Sequence, residues 1–186
     1  MERQVGSIPR DHLARYEFAA KYVYGPTLDA ACGSGYGTDI LRKATGRATG
    51  VDIHAPTIEY AKEHFPDCEF ICGDLLTAPW VKGYMSVVSF ETLEHIHAPQ
   101  AVLRYFRKSC ADVLICSVPN ENLYPFDPKV FENDEFPHLR HYTPEAFTGL
   151  LEGAGWEVAR MYCQVSKNAP EVVEGVSGRY LIAVCQ

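Results

Sequence analysis

A chain of 186 residues can bury a substantial core but is too short for two full-size domains, so a single domain over 1–186 is expected. With 47% hydrophobic and 22% charged residues it has an ordinary globular composition, and no apolar run approaches the ~20 residues needed to span a bilayer. A formal net charge of −7 opposes a nucleic-acid partner, whose phosphates call for a cationic surface.

The opening MERQVGSIPRDHLARY has no apolar stretch between its charges, which excludes a secretory signal as a reading of it. Residues 1–25 read instead as a helical cover built on the amphipathic stretch HLARYEFAAKYV. Thr27–Ala31 is the first expected strand, followed by glycines at 33, 35 and 37. Ala48–Ile53 is the second strand, and APTIEYAKEHF the next helix, with Pro56 in its first turn. Glu69–Gly73 and Met85–Glu91 follow as strands, then the helix PQAVLRYFRKSC and the strand Val113–Val118. Residues 119–142, rich in Pro, Asn, Asp and His, have no clear period and are read as a loop insertion carrying substrate contacts. Thr143-Pro144 announces a helix that ends at Gly153 or Gly155. Trp156–Val165 and Arg179–Gln186 have no helix-length segment between them, so an antiparallel pair closes the sheet. The alternation defines an α/β, doubly wound, mostly parallel seven-stranded sheet of Rossmann-like type. The seven cysteines include no CxxC pair and read as reduced, packing thiols of a cytoplasmic protein.

Three features fall on one rim of such a sheet. Glycines after the first strand let a ligand approach the main chain and allow positive φ. Asp52, 19 residues after Gly33, ends the second strand where a carboxylate can accept from the vicinal hydroxyls of a ribose, and Asp74 ends the third. The GSGYG spacing departs from GxGxxG, and Asp29 ahead of it would repel a pyrophosphate but suit a cationic ligand.

On these residues the chain resembles the class I S-adenosylmethionine-dependent methyltransferases. Asp29, Ala31, Gly33 and Gly35 match their first motif, Asp52 their ribose-binding acid, and Asp74 with Leu75 their adenine-edge acid. SFETLEHI and FPHLRHYTPEAFTGLLEGAGWEV are similar to stretches of the ubiquinone-biosynthesis group. The resemblance implies S-adenosylmethionine as cofactor and S-adenosylhomocysteine as product. It places Ala31, Gly33 and Gly35 along the methionine part, Asp52 on the ribose, and Ile53, Asp74 and Leu75 at the adenine. Phe90 and Glu91 would stand close to the sulfonium, and Tyr16 with Arg15 would fold over the cofactor. Neither an NPPY-like tetrapeptide after the fourth strand nor a Pro-Cys pair of cytosine C5 enzymes is present, which lowers nucleic-acid methylation further.

Methyl transfer from a sulfonium needs mainly positioning, with a general base only where the acceptor must lose a proton. His95 is the candidate base, with Glu91 beside it on the rim. Asn120, His138, Arg140 and His141 are the candidate substrate contacts, Arg140 for an acidic group. No histidine pair has HxxxH spacing or a cysteine partner, so no metal is expected. The expected activity is methylation of an O or N atom of a small molecule by a monomer or homodimer. Methylation of a protein or modified nucleotide, a non-catalytic S-adenosylmethionine-binding domain and an NAD-dependent oxidoreductase stand as alternatives.

Overall fold

The computed structural model describes residues 8–77, 83–166 and 169–186, with the side chains of 109–111 left aside. Eight strands form one sheet in the order β3-β2-β1-β4-β5-β8-β6-β7. They are β1 Thr27–Ala30, β2 Ala48–Asp52, β3 Glu69–Cys72, β4 Tyr84–Phe90, β5 Cys110–Pro119, β6 Val158–Gln164, β7 Val173–Glu174 and β8 Tyr180–Cys185. The first five pair in parallel, while β8 runs antiparallel between β5 and β6. The helices are α1 Arg10–Ala19, α2 Tyr36–Thr45, α3 Ala55–His64, α4 Pro99–Ser109, the single turn α5 Pro128–Phe131, and α6 Pro144–Glu152.

The winding follows from strands that are apolar on both sides. Leu28 and Ala30 of β1, Val87 of β4, Leu114 and Cys116 of β5 pack with Val102, Leu103 and Phe106 of α4 and Phe147 and Leu151 of α6. Their neighbours Val88, Val113 and Ile115 point the other way, against Tyr16, Phe18 and Ala19 of α1 and Leu41 of α2. Trp156, 2% exposed, ties the first layer together by donating Nε1–H to the Leu103 carbonyl at 3.0 Å.

Helix ends obey local chemistry. Thr143 caps α6 by accepting from the Ala146 amide, Pro144 occupies the first turn, and Gly153 follows the last residue. The sequence reading places these elements within a few residues of where they lie. It misses the two-residue β7 at the sheet edge and the early start of β5. The ends of segment 119–142 are tied to each other by a parallel bridge between Asn120 and Tyr142, so the segment is a strap closed at its base.

Chain order reverses beside β1: β2 and β3 extend the sheet to one side, and the chain then returns to place β4 on the other. The crevice beyond the carboxyl ends of β1 and β4 is where an open parallel sheet takes its ligand.

Candidate functional site at the carboxyl edge of the sheet

The two non-glycine residues with positive φ among the described residues are Ala31 (64°) and Glu91 (48°), each immediately beyond the end of β1 or β4. Left-handed backbone at such residues costs about 1–3 kcal/mol, and such strain collects where a ligand is held. The three glycines of the turn serve different ends. Gly33 (φ +52°) has open space where a Cβ would stand, so its missing side chain leaves room for a ligand. A Cβ on Gly35 would come within 2.7 Å of the Phe70 ring, and one on Gly37 would overlap the Tyr16 ring. Their smallness serves the packing of α2 and α1 on the sheet.

Asp52 is pinned from both sides: Oδ2 accepts from the Gly33 amide and Oδ1 from the His54 amide, both at 2.9 Å. Each oxygen keeps acceptor capacity for a hydroxyl. A cavity of about 390 Å³ opens beside it, with Ala31, Asp52, Ile53, Asp74 and Leu75 toward one end. Ile53 is 56% exposed and Leu75 buried, giving an apolar slot. Asp74 spends Oδ1 on the Leu76 amide at 2.8 Å, a turn contact that sets its orientation.

Two expected contacts are corrected. Asp29 does not face the cavity: β1 alternates, so it points beneath the turn, fully buried. There Oδ1 accepts from the Tyr16 hydroxyl at 3.0 Å and Oδ2 from Thr38 at 2.7 Å. Burial pushes its carboxyl up to about 7. Tyr16 does not fold over the crevice from outside either. Its ring is 6% exposed and lies edge-on to Tyr36 and Phe90, at centroid distances of 5.5 and 5.1 Å. It plugs the floor of the site.

Arg15, 1% exposed, reaches from α1 to Glu91 Oε1 at 2.9 Å, Ser117 Oγ at 3.3 Å and Asp11 Oδ2 at 3.5 Å, with its guanidinium over the Tyr180 ring. Ser117 also donates to Glu91 Oε1 at 2.7 Å. The strained Glu91 is thereby held with its carboxylate at the cavity wall.

The other end of the cavity takes Glu91, Thr92, His95, Ile96, His97 and Phe136. His95 closes the 3-10 turn Leu93–His95 and hydrogen bonds through Nδ1 to the Pro137 carbonyl at 3.1 Å. A carbonyl only accepts, so Nδ1 carries a proton, and in the neutral ring Nε2 is bare. His138 stands edge-on to His95, with ring centroids 4.6 Å apart. Burial, then the neighbouring His95 and His141, bring its pKa down to about 4, so it is neutral near pH 7.

Glu94 is fully buried, and neither of its carboxylate oxygens has a hydrogen-bond partner. Burial, then Glu91, raises its pKa well above the usual carboxyl range. One ligand atom each from Glu94, His95 and His138 lies within 4.8 Å of the others. This set has the two-imidazole, one-carboxylate composition of a divalent-metal site. The sequence reading missed it because His138 follows His95 by 43 residues. E-x-x-E-H was a local signal for Glu94.

The remaining strap residues divide. Asn120 is not available to a substrate: it is 1% exposed, donates to the carbonyls of Val176 (3.0 Å) and Gly178 (2.7 Å), and accepts from the Asn122 amide. Arg140 lies against the Tyr142 phenol and is not among the residues lining the cavity, which include no Lys or Arg among the described residues. His141 is 8% exposed and bonds to His138 and to the Tyr124 carbonyl, behind the cavity wall. Phe136, 48% exposed, is the strap's apolar contribution to the cavity.

A glycine turn, a pinned acid ending β2 and a cavity at the β1/β4 reversal lie together at the carboxyl edge of a Rossmann-like sheet, the fold of class I methyltransferases. Residues 27–114, a little under half of the chain, match the family described as "Methyltransferase domain". A probable S-adenosylmethionine-dependent methyltransferase of Mycolicibacterium smegmatis is 29% identical over 159 residues, covering 80% of this chain and 59% of that protein. One of Mycobacterium tuberculosis is 26% identical over 153 residues, covering 79% and 54%. The chain thus spans little more than half the length of these curated relatives. Among solved structures, the CcbJ methyltransferase from Streptomyces caelestis superposes with a TM-score of 0.77 at 17% identity, over 100% of this chain and 99% of that one. The DhpI–SAH complex gives 0.70 at 21% identity, over 94% and 83%. Among the described residues no helix is long and apolar enough to cross a membrane.

Proposed function

We propose that the protein transfers the methyl group of S-adenosylmethionine to a hydroxyl oxygen of a small molecule, as a cytoplasmic enzyme. The observation that carries this reading is the bare Nε2 of His95 at the far end of the cavity that begins at Asp52. When bound, the cofactor supplies a methyl group whose leaving group is already activated by positive charge. Asp52 would hold the ribose hydroxyls, with Ile53 and Leu75 against the adenine and Asp74 at its edge. Gly33 leaves the methionine part access to the main chain, and Glu91, held by Arg15 and Ser117, would take its ammonium group.

His95 would remove the acceptor proton, and an amine acceptor would need it less. Among the described residues the cavity offers Asp52, Asp74 and Glu91 but no lysine or arginine, so a neutral acceptor suits it better than a carboxylate. The unpartnered Glu94 carboxyl favours a second reading, in which Glu94, His95 and His138 hold a divalent cation that lowers the acceptor hydroxyl's pKa.

Isothermal titration with S-adenosylmethionine, S-adenosylhomocysteine and NAD tests the cofactor, with Asp52→Ala alongside. Micromolar binding of the first two, weakened about 10-fold or more in the variant, is expected from loss of a pinned charged acceptor. Preference for NAD would turn the reading toward an oxidoreductase. Binding without turnover of any hydroxyl acceptor, before and after added Mn²⁺ or Zn²⁺, would leave a non-catalytic binding domain. Loss of turnover in chelator, restored by one of those ions, would select the metal-assisted route.

A further inference from the structure

Behind the His95–His138 pair lies a second layer that the proposed reaction does not itself use. His141 hydrogen bonds through Nδ1 to the Tyr124 carbonyl at 2.6 Å, and through Nε2 to His138 Nδ1 at 2.8 Å. The carbonyl can only accept, so His141 Nδ1 must donate. With its proton on Nδ1, the neutral His141 ring has only a lone pair to offer at Nε2. His138 Nδ1 must then carry a proton. The neutral His138 ring is left with a bare Nε2, on the side away from His141.

We propose that His141 is a positioning residue that fixes the Nδ1–H tautomer of His138, so that His138 presents a lone pair toward His95 and Glu94. Free imidazole side chains favour the opposite tautomer, with the proton on Nε2. Without His141 the proton would sit on Nε2, in a ring with one ligand atom within 4.8 Å of those of Glu94 and His95. As a ligand that nitrogen could not bind, and as a proton acceptor it would be spent.

The relay is rigidly mounted. The Tyr124 amide donates to the Asn120 carbonyl at 2.7 Å, and Asn120 is itself bonded to Val176 and Gly178. Arg179 stacks its guanidinium 3.6 Å from the Tyr124 ring centroid. On the far side the Phe131 ring lies parallel to His138, with centroids 4.0 Å apart. The Tyr124 carbonyl is thereby held in place, and His138, its ring plane fixed by the stack, cannot flip without losing its hydrogen bond to His141. The functional consequence rests on the reading of the His95 end as the acceptor site; the tautomer itself does not.

The test uses the protein labelled with ¹⁵N-histidine and two variants that separate the bonds of His141. His141→Gln can place an amide oxygen near the old Nε2 and accept from His138. His141→Asn can keep the donation to Tyr124 but offers His138 no acceptor. Long-range ¹H–¹⁵N correlation at pH 7 should show His138 protonated at Nδ1 and bare at Nε2 in the parent and in His141→Gln, and reversed in His141→Asn. Methyl-transfer kcat should fall about 10- to 100-fold in His141→Asn, the usual cost of removing an outer-layer partner, and recover most of the way in His141→Gln, with KM for S-adenosylmethionine within two-fold throughout.

An Nε2–H tautomer for His138 in the parent protein overturns the proposal, and so does the same tautomer and rate in both variants, which would make His141 only a strap anchor. If no protein turns over a hydroxyl acceptor but the tautomer pattern holds, the methyl-transfer reading fails and the role of His141 in setting His138 stands.

Discussion

The two ends of the cavity are built by different means. At the Asp52 end, contacts come from strand ends and backbone amides: Gly33 and His54 fix Asp52, and Leu76 fixes Asp74. At the His95 end they come from side chains that the strap brings back across the sheet, with the Pro137 carbonyl on His95 and His141 on His138. The first end is a consequence of the parallel sheet, so any chain with this winding and these turn residues would rebuild it. The second depends on the strap's return to the turn after β4, His95 and Pro137 being 42 residues apart, and there one chain can differ from another without disturbing the first.

That contrast breaks most sharply at His95. His95→Gln should lower kcat about 10²- to 10⁴-fold, with cofactor affinity within two-fold by titration; equal losses in both would mean that the two ends are one site energetically. Arg15 supports the His95 end from below, through Glu91. Arg15→Met leaves Glu91 without its cation and the buried Asp11 carboxylate with only His12, 3.9 Å away, at a cost of about 3–5 kcal/mol read by chemical denaturation. Gly33→Ala is the milder, one-ended change. It should weaken S-adenosylmethionine binding while costing the fold about 1–2 kcal/mol for a Cβ at positive φ, and an unchanged affinity would show that the open space above Gly33 is not used.

Asp29 gives the smallest effect, carried by pH. Its folded pKa of about 7 lies above the ordinary carboxyl value of 3.8, so the folded state holds its proton through a window in which the unfolded chain has lost it. The resulting stability is full below pH ~4 and is lost as pH rises toward 7. Asp29→Asn should remove that slope and raise Tm at pH 8, by about 2–4 °C for each kcal/mol recovered in a chain of this size. Calorimetry at pH 5 and 8 decides it, and a lower Tm for the variant at pH 8 would show that the charged carboxylate is the better partner for Tyr16 and Thr38.

The legibility of the sequence follows the same division. Strand runs such as VLICSV and the Thr143-Pro144 cap are local signals, and the winding follows from their order. Asp52 and Asp74 were legible because each ends a strand. Asp29 was misplaced although the information was present: Leu28 and Ala30 are apolar, so period two along β1 sends Asp29 to the opposite, equally buried face. Asn120 was misassigned for another reason. A polar residue in a loop of Pro and Asn looks like a ligand contact, and its partners Val176 and Gly178 are set by the return of β8 beside β5. No local pattern joins Glu94 to His138, whose proximity exists only once the strap is folded.

The bridge between Asn120 and Tyr142 gives the strap a further property. Because its two ends are clasped to each other, the residues between them form an exchangeable cassette. Lengthening it adds only slowly to the cost of closing the loop, about 0.6 kcal/mol for each doubling, and need not move β5 or α6. Descendants of this chain could therefore trade one acceptor for another by rewriting the cassette, while the Asp52 end is inherited unchanged.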